Sequence, residues 1–134
     1  MSLPSSPQPA PLDEDATTLI EAVKALVKSE LAPITTEIDQ QGRYPREFLS
    51  RLGELGGFSA SVPAAQGGGG YGLPTQIAVT TEVGRECGST AFLVWCQSSC
   101  ARYLLQSPNS AVRERYISDV MTGRLLSETA CQTQ

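Results

Sequence analysis

Histidine is absent from all 134 residues. Its absence excludes serine/histidine and cysteine/histidine nucleophile pairs, because Ser98, Ser99 or Cys100 would have no imidazole to take the proton. It also removes the commonest zinc ligand, and the four cysteines, Cys87, Cys96, Cys100 and Cys131, form no CxxC pair. Cys96 and Cys100 stand one helical turn apart in an apolar stretch, the pattern of buried free thiols in a cytosolic protein. Long apolar runs are missing as well. The longest, Ala91 to Cys96, falls far short of the roughly 20 residues that cross a bilayer, so no membrane is expected. Basic residues are few: ten Lys and Arg against fourteen Asp and Glu leave a net charge of -4. They are scattered rather than striped, which excludes nucleic acid as a partner.

What is present describes a globular chain. With 40% apolar and 18% charged residues, a chain of this length buries a core without disulfides and forms one domain. Residues 1–12 are the exception: the stretch to Pro11 holds four prolines and three serines without periodicity, a disordered lead-in. The first sixteen residues have neither a basic start nor an apolar centre, so no targeting signal is expected and the protein is placed in the cytoplasm.

From Asp13 the spacing turns helical. Asp13, Glu14 and Asp15 put negative charge at a helix start, and Leu19, Val23, Leu26, Val27, Leu31, Ile34 and Ile38 mark one face of a long helix. Pro33 divides it into two halves, since proline removes an amide donor and crowds the carbonyl four residues back. Pro45 opens a short helix with Phe48, Leu49, Leu52 and Leu55 as its stripe and Gly56 and Gly57 as its stop. Phe58 to Val62 reads as an extended connector, 64–73 as loop, and Pro74 starts a helix carrying Ile77, Ala78, Val79 and Val83. Ser89 or Thr90 is the expected cap of a central helix with Phe92, Trp95, Cys96, Cys100, Tyr103 and Leu104 in register, its Phe and Trp face read as core. Ser107 caps a last helix with Val112, Tyr116, Ile117, Val120 and Met121 inward. The sum is an all-α, up-and-down domain of five or six helices over 13–123, with a short extended C-terminal tail.

Two motifs invite chemistry. Gly67, Gly69 and Gly72 satisfy GxGxxG, but a dinucleotide fingerprint needs a buried strand before it, and Pro63 spoils that strand. A turn or helix-packing loop is the expectation. Glu82 and Glu86 lie four apart, a pairing that more often faces water than performs acid/base work. No complete active site follows from spacing alone, and no catalytic or metal-binding residue is assigned.

The segments LAPITTEIDQQGRYPREFLSRLGELGGFSASVPAAQGGGGYGL, TTEVGRECGSTAFLVWCQSS and SAVRERYISDVMTGRLL, in that order, resemble the N-terminal helical domain of acyl-CoA dehydrogenases. The loop VPAAQGGGG is similar to the family's Val-Pro-Glu-x-Tyr-Gly-Gly, with Ala65 and Gln66 departing from it. The resemblance implies a three-domain flavoenzyme that removes hydrogens from Cα and Cβ of an acyl-CoA thioester. FAD would accept the hydride, a glutamate take the α-proton, and an electron-transfer flavoprotein reoxidise the cofactor. CGSTAFLVWCQSS resembles the helix bordering the acyl pocket, so Trp95, Gln97, Ser98 and Ser99 are the implied substrate-facing residues. Thr129 to Gln134 stands where the family has Phe-Ala-Leu-Thr-Glu-Pro, with Gln132 at the threonine and Thr133 at the glutamate position. Thr129, Cys131 and Gln132 are therefore the implied flavin contacts, and 124–134 the start of a β-domain. A homo-oligomer is expected, and the chain is expected to be a fragment or truncated form, inactive alone and unable to hold FAD stably. Alternatives are the front domain of a flavin-dependent monooxygenase or nitroalkane oxidase, and a non-catalytic helical assembly module.

Overall fold

The computed structural model describes residues 12–13 and 15–127. Among the described residues there are six α-helices and no strand: α1 (Ala16–Leu26), α2 (Thr35–Gln41), α3 (Arg46–Glu54), α4 (Leu73–Glu86), α5 (Gly88–Gln106) and α6 (Ser110–Met121). Pro33 acts as its chemistry dictates. Without an N–H to return to Ser29, the chain widens into a π turn over Val27–Leu31 and tightens into a 3-10 turn over Ala32–Ile34 before α2 begins. The inward face then continues almost unbroken through Ile20, Val23, Val27 and Leu31, with Leu19, Leu26, Ile34 and Ile38 packed at its edges.

Phe48, Leu49 and Leu52 of α3 are buried, whereas Leu55 turns outward at 42% exposure. The helix stops as expected: the N–H of Gly56 returns to Gly53 O at 3.0 Å and that of Gly57 to Leu52 O at 2.9 Å, the paired bonds of a Schellman ending. Residues 58–62 depart from expectation. They are successive turns, Ser59 N–H to Gly56 O and Val62 N–H to Ser59 O, that drive Phe58, Ala60 and Val62 into the interior. The buried Gln76 amide on α4 fixes them, accepting from Ala60 N–H at 3.2 Å and donating to Gly57 O at 2.7 Å.

Three helix starts also differ from the sequence reading. The Asp13 carboxylate does not serve α1; it accepts from Gly72 N–H at 2.9 Å and Thr75 Oγ1 at 3.0 Å, capping α4 from 59 residues away. Ser89 and Thr90 lie inside α5, whose preceding residue is Cys87, and the Thr90 hydroxyl donates to Cys87 Sγ at 3.1 Å. The cap of α6 is Asn109, accepting from Val112 N–H at 3.2 Å, with Ser107 Oγ accepting from Asn109 N–H.

α5 packs against both α4 and α6, and α1 packs on α4. A main core joins α1, α3, α4 and the start of α5 around Phe48, Phe58, Val79, Val83 and Val94, and Leu126 of the tail enters it. A smaller core joins Val62, Ala101, Val120 and Met121. The described part of the tail, 122–127, runs as turns, with Leu125 N–H on Asp119 O at 2.9 Å.

Candidate functional site

The inward stripe of α5 is Thr90, Val94, Gln97, Ser98 and Ala101. Small and β-branched side chains at this spacing let α5 lie close to α4 and α6, and no large ring fits there. Phe92 and Trp95 are consequently 58% and 56% exposed, and Tyr103 75%, which overturns the reading of the Phe and Trp face as core. The Phe92 and Trp95 rings lie 5.7 Å apart. The result is an aromatic strip open to solvent along the longest helix.

Trp95 forms a ridge between two hollows. On one side is a groove of about 420 Å³ lined by Leu73, Ile77, Thr80 and Thr81 of α4 and by Trp95, Ser98, Ser99 and Arg102 of α5, with Gln76 at its base. On the other is a hollow of about 460 Å³ reaching Tyr103 and Ser127. Three of the implied substrate-facing residues, Trp95, Ser98 and Ser99, thus share one groove. Gln97 is not among them. Its buried amide donates to Val120 O at 2.8 Å and Leu125 O at 2.7 Å and accepts from Ser127 N–H at 2.8 Å, which ties the tail to α6. Ile77, Thr81 and Arg102 were missed as groove residues, although Arg102 lies one turn beyond Ser98 and its spacing pointed to that wall.

Thr129, Cys131 and Gln132 lie outside the described residues. Of the cysteines, Cys87 is buried while Cys96 and Cys100 are only partly so, which corrects the expectation of buried thiols at the latter two. Burial raises the Cys100 thiol pKa.

The acyl-CoA dehydrogenase N-terminal domain model matches residues 13–124. The chain belongs to this family. Isovaleryl-CoA dehydrogenase of Pongo abelii is 29% identical over 122 residues, covering 89% of this chain and 29% of its own length. Cyclohex-1-ene-1-carbonyl-CoA dehydrogenase of Syntrophus aciditrophicus is 31% identical over 106 residues, covering 79% of this chain and 26% of its own. Butyryl-CoA dehydrogenase from Megasphaera elsdenii shares the fold with a TM-score of 0.78 at 23% identity, covering 89% of this chain and 32% of that one. This acyl-CoA dehydrogenase N-terminal domain spans between 21% and 32% of the length of the proteins it matches.

Within the domain the glycine loop is a structural device. Gly67 N–H bonds to Ala64 O, Gly68 N–H to Pro63 O, Gly69 N–H to Ser59 O, Gly70 N–H to Val62 O and Tyr71 N–H to Ala60 O. A Cβ at Gly68 would overlap the Val62 carbonyl. The loop amides are committed internally, and the α4 N-terminus is covered by the Asp13 carboxylate. A phosphate at this loop would meet amides already committed within it and the Asp13 carboxylate, so the geometry does not support the dinucleotide-cradle reading. Glu82 is held near Arg85 at 3.7 Å, and among the described residues no His, Cys, Asp and Glu cluster is arranged to hold a metal. Among the described residues no helix is long and apolar enough to cross a membrane.

Proposed function

We propose that this chain is the N-terminal helical wall of an FAD-dependent acyl-CoA dehydrogenase, contributing one side of the substrate pocket to a reaction centre completed by further domains. The observation that carries the reading is the open aromatic strip of α5 beside the α4/α5 groove, in a chain whose family model describes a domain of such an enzyme. A strip of this kind on a monomer marks a surface that something covers. In this reading Trp95, Ser98 and Ser99 face the acyl chain, residues 124–134 lead into a β-domain, and Thr129, Cys131 and Gln132 lie toward the flavin. Electron-transfer flavoprotein is the oxidant of the complete enzyme, which is a homo-oligomer. The names of the relatives, all acyl-CoA dehydrogenases of different acyl groups, support α,β-dehydrogenation as the reaction class and leave acyl preference open.

The amides of the 67–71 loop are satisfied within the loop, so that loop offers no cradle for a flavin pyrophosphate, and no chemical step is assigned to the described residues. When bound in the complete enzyme, the flavin supplies the hydride acceptor; this domain's share is to orient the acyl chain and keep water from one side of it. Purified 1–134 should carry no stoichiometric flavin and should not oxidise an acyl-CoA in the presence of an artificial electron acceptor. Fusion to the remaining domains of isovaleryl-CoA dehydrogenase should restore both flavin absorbance and turnover. Flavin bound one-to-one by 1–134, with turnover, would overturn the reading; flavin content restored without dehydrogenation would favour a flavin-dependent oxidase or monooxygenase.

A further inference from the structure

The spacing of Cys96 and Cys100 suggests inert thiols inside the core, yet α5 leaves both partly exposed, and neither is in a disulfide. They stand four apart within a helix that runs unbroken from Gly88 to Gln106, which stacks them on one face, one turn above the other. Both line the hollow of about 460 Å³ beside Trp95, together with Tyr103 and Leu104. Neither lines the α4/α5 groove.

Side chains at this spacing have Cβ atoms about 5–6 Å apart. A disulfide needs them at about 3.5–4.5 Å, so an intact α5 keeps the two thiols from oxidising to each other. A bridging ion has a longer reach. At roughly 2.3 Å for each metal–sulfur bond, a linear sulfur–metal–sulfur unit spans about 4.6 Å, a separation that rotation about the two χ1 angles supplies. Coordination number and softness then select the ion. Among the described residues no group of three or more His, Cys, Asp or Glu converges, so these residues supply no tetrahedral zinc set. No carboxylate lines the hollow, which leaves hard cations such as calcium and magnesium without oxygen ligands of their usual kind. Two thiolates in an apolar surround suit a soft ion of low coordination number, as Cu(I) is.

We infer that Cys96 and Cys100 form a two-coordinate site for a soft monovalent ion, Cu(I), held between the two sulfurs. Binding exchanges two S–H bonds for two Cu–S bonds; both protons pass to water, copper stays at +1 and no electron moves. The site is independent of the substrate-facing role of the groove. Flavin content and turnover test the enzyme, whereas a metal titration of this chain tests the thiol pair.

Reduced full-length chain is titrated without oxygen against Cu(I) supplied as its bicinchoninate complex. One ion per chain should pass from chelator to protein, and quench Trp95, the sole tryptophan and a lining residue of the same hollow. Cys96→Ser and Cys100→Ser should each weaken binding at least about 100-fold, since losing a group that only supports a ligand already costs roughly 10–100-fold. Cys87→Ser and Cys131→Ser leave the pair intact and should change nothing, and a molar excess of Zn(II) should not displace the copper. Circular dichroism checks that each variant is folded. A measurement on the native chain needs no variant: Cu(I) should protect Cys96 and Cys100 from alkylation by iodoacetamide, read by peptide mass. No copper taken from the chelator, one ion per two chains, displacement by Zn(II), unchanged affinity in Cys96→Ser or Cys100→Ser, an equal loss in Cys87→Ser or Cys131→Ser, or alkylation unaffected by copper would overturn the inference.

Discussion

Gln97 shows how a single side chain can be assigned to the wrong task by its neighbours. It sits between Cys96 and Ser98 in a stretch that resembles a pocket helix, yet 2% exposure and three hydrogen bonds to the backbone of 120–127 make it a brace. Replacing it with leucine fills the volume but leaves Leu125 O and Ser127 N–H without their partner and Val120 O with only the longer bond from Gly123 N–H. At about 1–3 kcal/mol for an unsatisfied buried group, Gln97→Leu should destabilise the chain by roughly 2–4 kcal/mol in urea unfolding. Amide exchange at Leu125 and Ser127 should accelerate with it. A variant of unchanged stability would return Gln97 to the list of pocket residues. Trp95 gives the opposite lesson: a large ring predicted inside is outside, because Val94 and Ala101 already occupy the space α5 shares with its neighbours.

At the scale of elements, two long-range contacts decide how helices begin and meet. Gly53 lies inside α3, where glycine to alanine ordinarily stabilises by up to about 1 kcal/mol. Here the new methyl would overlap the Thr122 carbonyl beneath it. Gly53→Ala should therefore destabilise, by about 1–3 kcal/mol as overpacking does, and a raised unfolding midpoint would show that α6 can retreat.

Asp13 is the second case. Hydrogen bonds from Gly72 N–H and then Thr75 hold its carboxyl below the usual 3.8. A carboxylate whose folded pKa is depressed contributes stability that is present above its unfolded value and is lost as pH falls through the folded one. Asp13→Ala should thus lower the thermal midpoint at neutral pH, and the gap from the native chain should close as the pH drops below 3.8. A gap independent of pH would mean the residue acts by packing alone. Elements themselves were legible where the signal is local: Pro33 dividing the first helix, Gly56 and Gly57 ending α3, and the apolar spacing of α1 and α3. Starts capped from a distance were not, since nothing near Leu73 announces a carboxylate 59 residues earlier.

For the molecule as a whole, the aromatic strip is the feature that a domain standing alone does not explain. Phe92 contributes little to this chain's own stability because it is more than half exposed, and surface substitutions away from special features stay within about 0.5 kcal/mol. Phe92→Asp should leave the unfolding of 1–134 unchanged and yet prevent its assembly with the remaining domains in the isovaleryl-CoA dehydrogenase fusion. The check is flavin retention and the position of Trp95 emission, which should move to the blue when the strip is covered. Normal flavin retention in that variant would place the domain contact elsewhere.

The sequence by itself determined the helical class and the order of its helices, because periodicity and the chemistry of proline and glycine act within a few residues. The resemblance of VPAAQGGGG and CGSTAFLVWCQSS to family segments carried the family. Only the tertiary structure decided which face of α5 turns inward, that the amides of the glycine loop are spent on 59–64, and which residues of 95–102 share a groove. Those outcomes depend on close approach between segments distant in the chain: Gln97 against 120–127, Gln76 against 57–60, and α4 against α5. Spacing along one helix sets which residues share a face, but the shape of the neighbouring surface sets which face is buried.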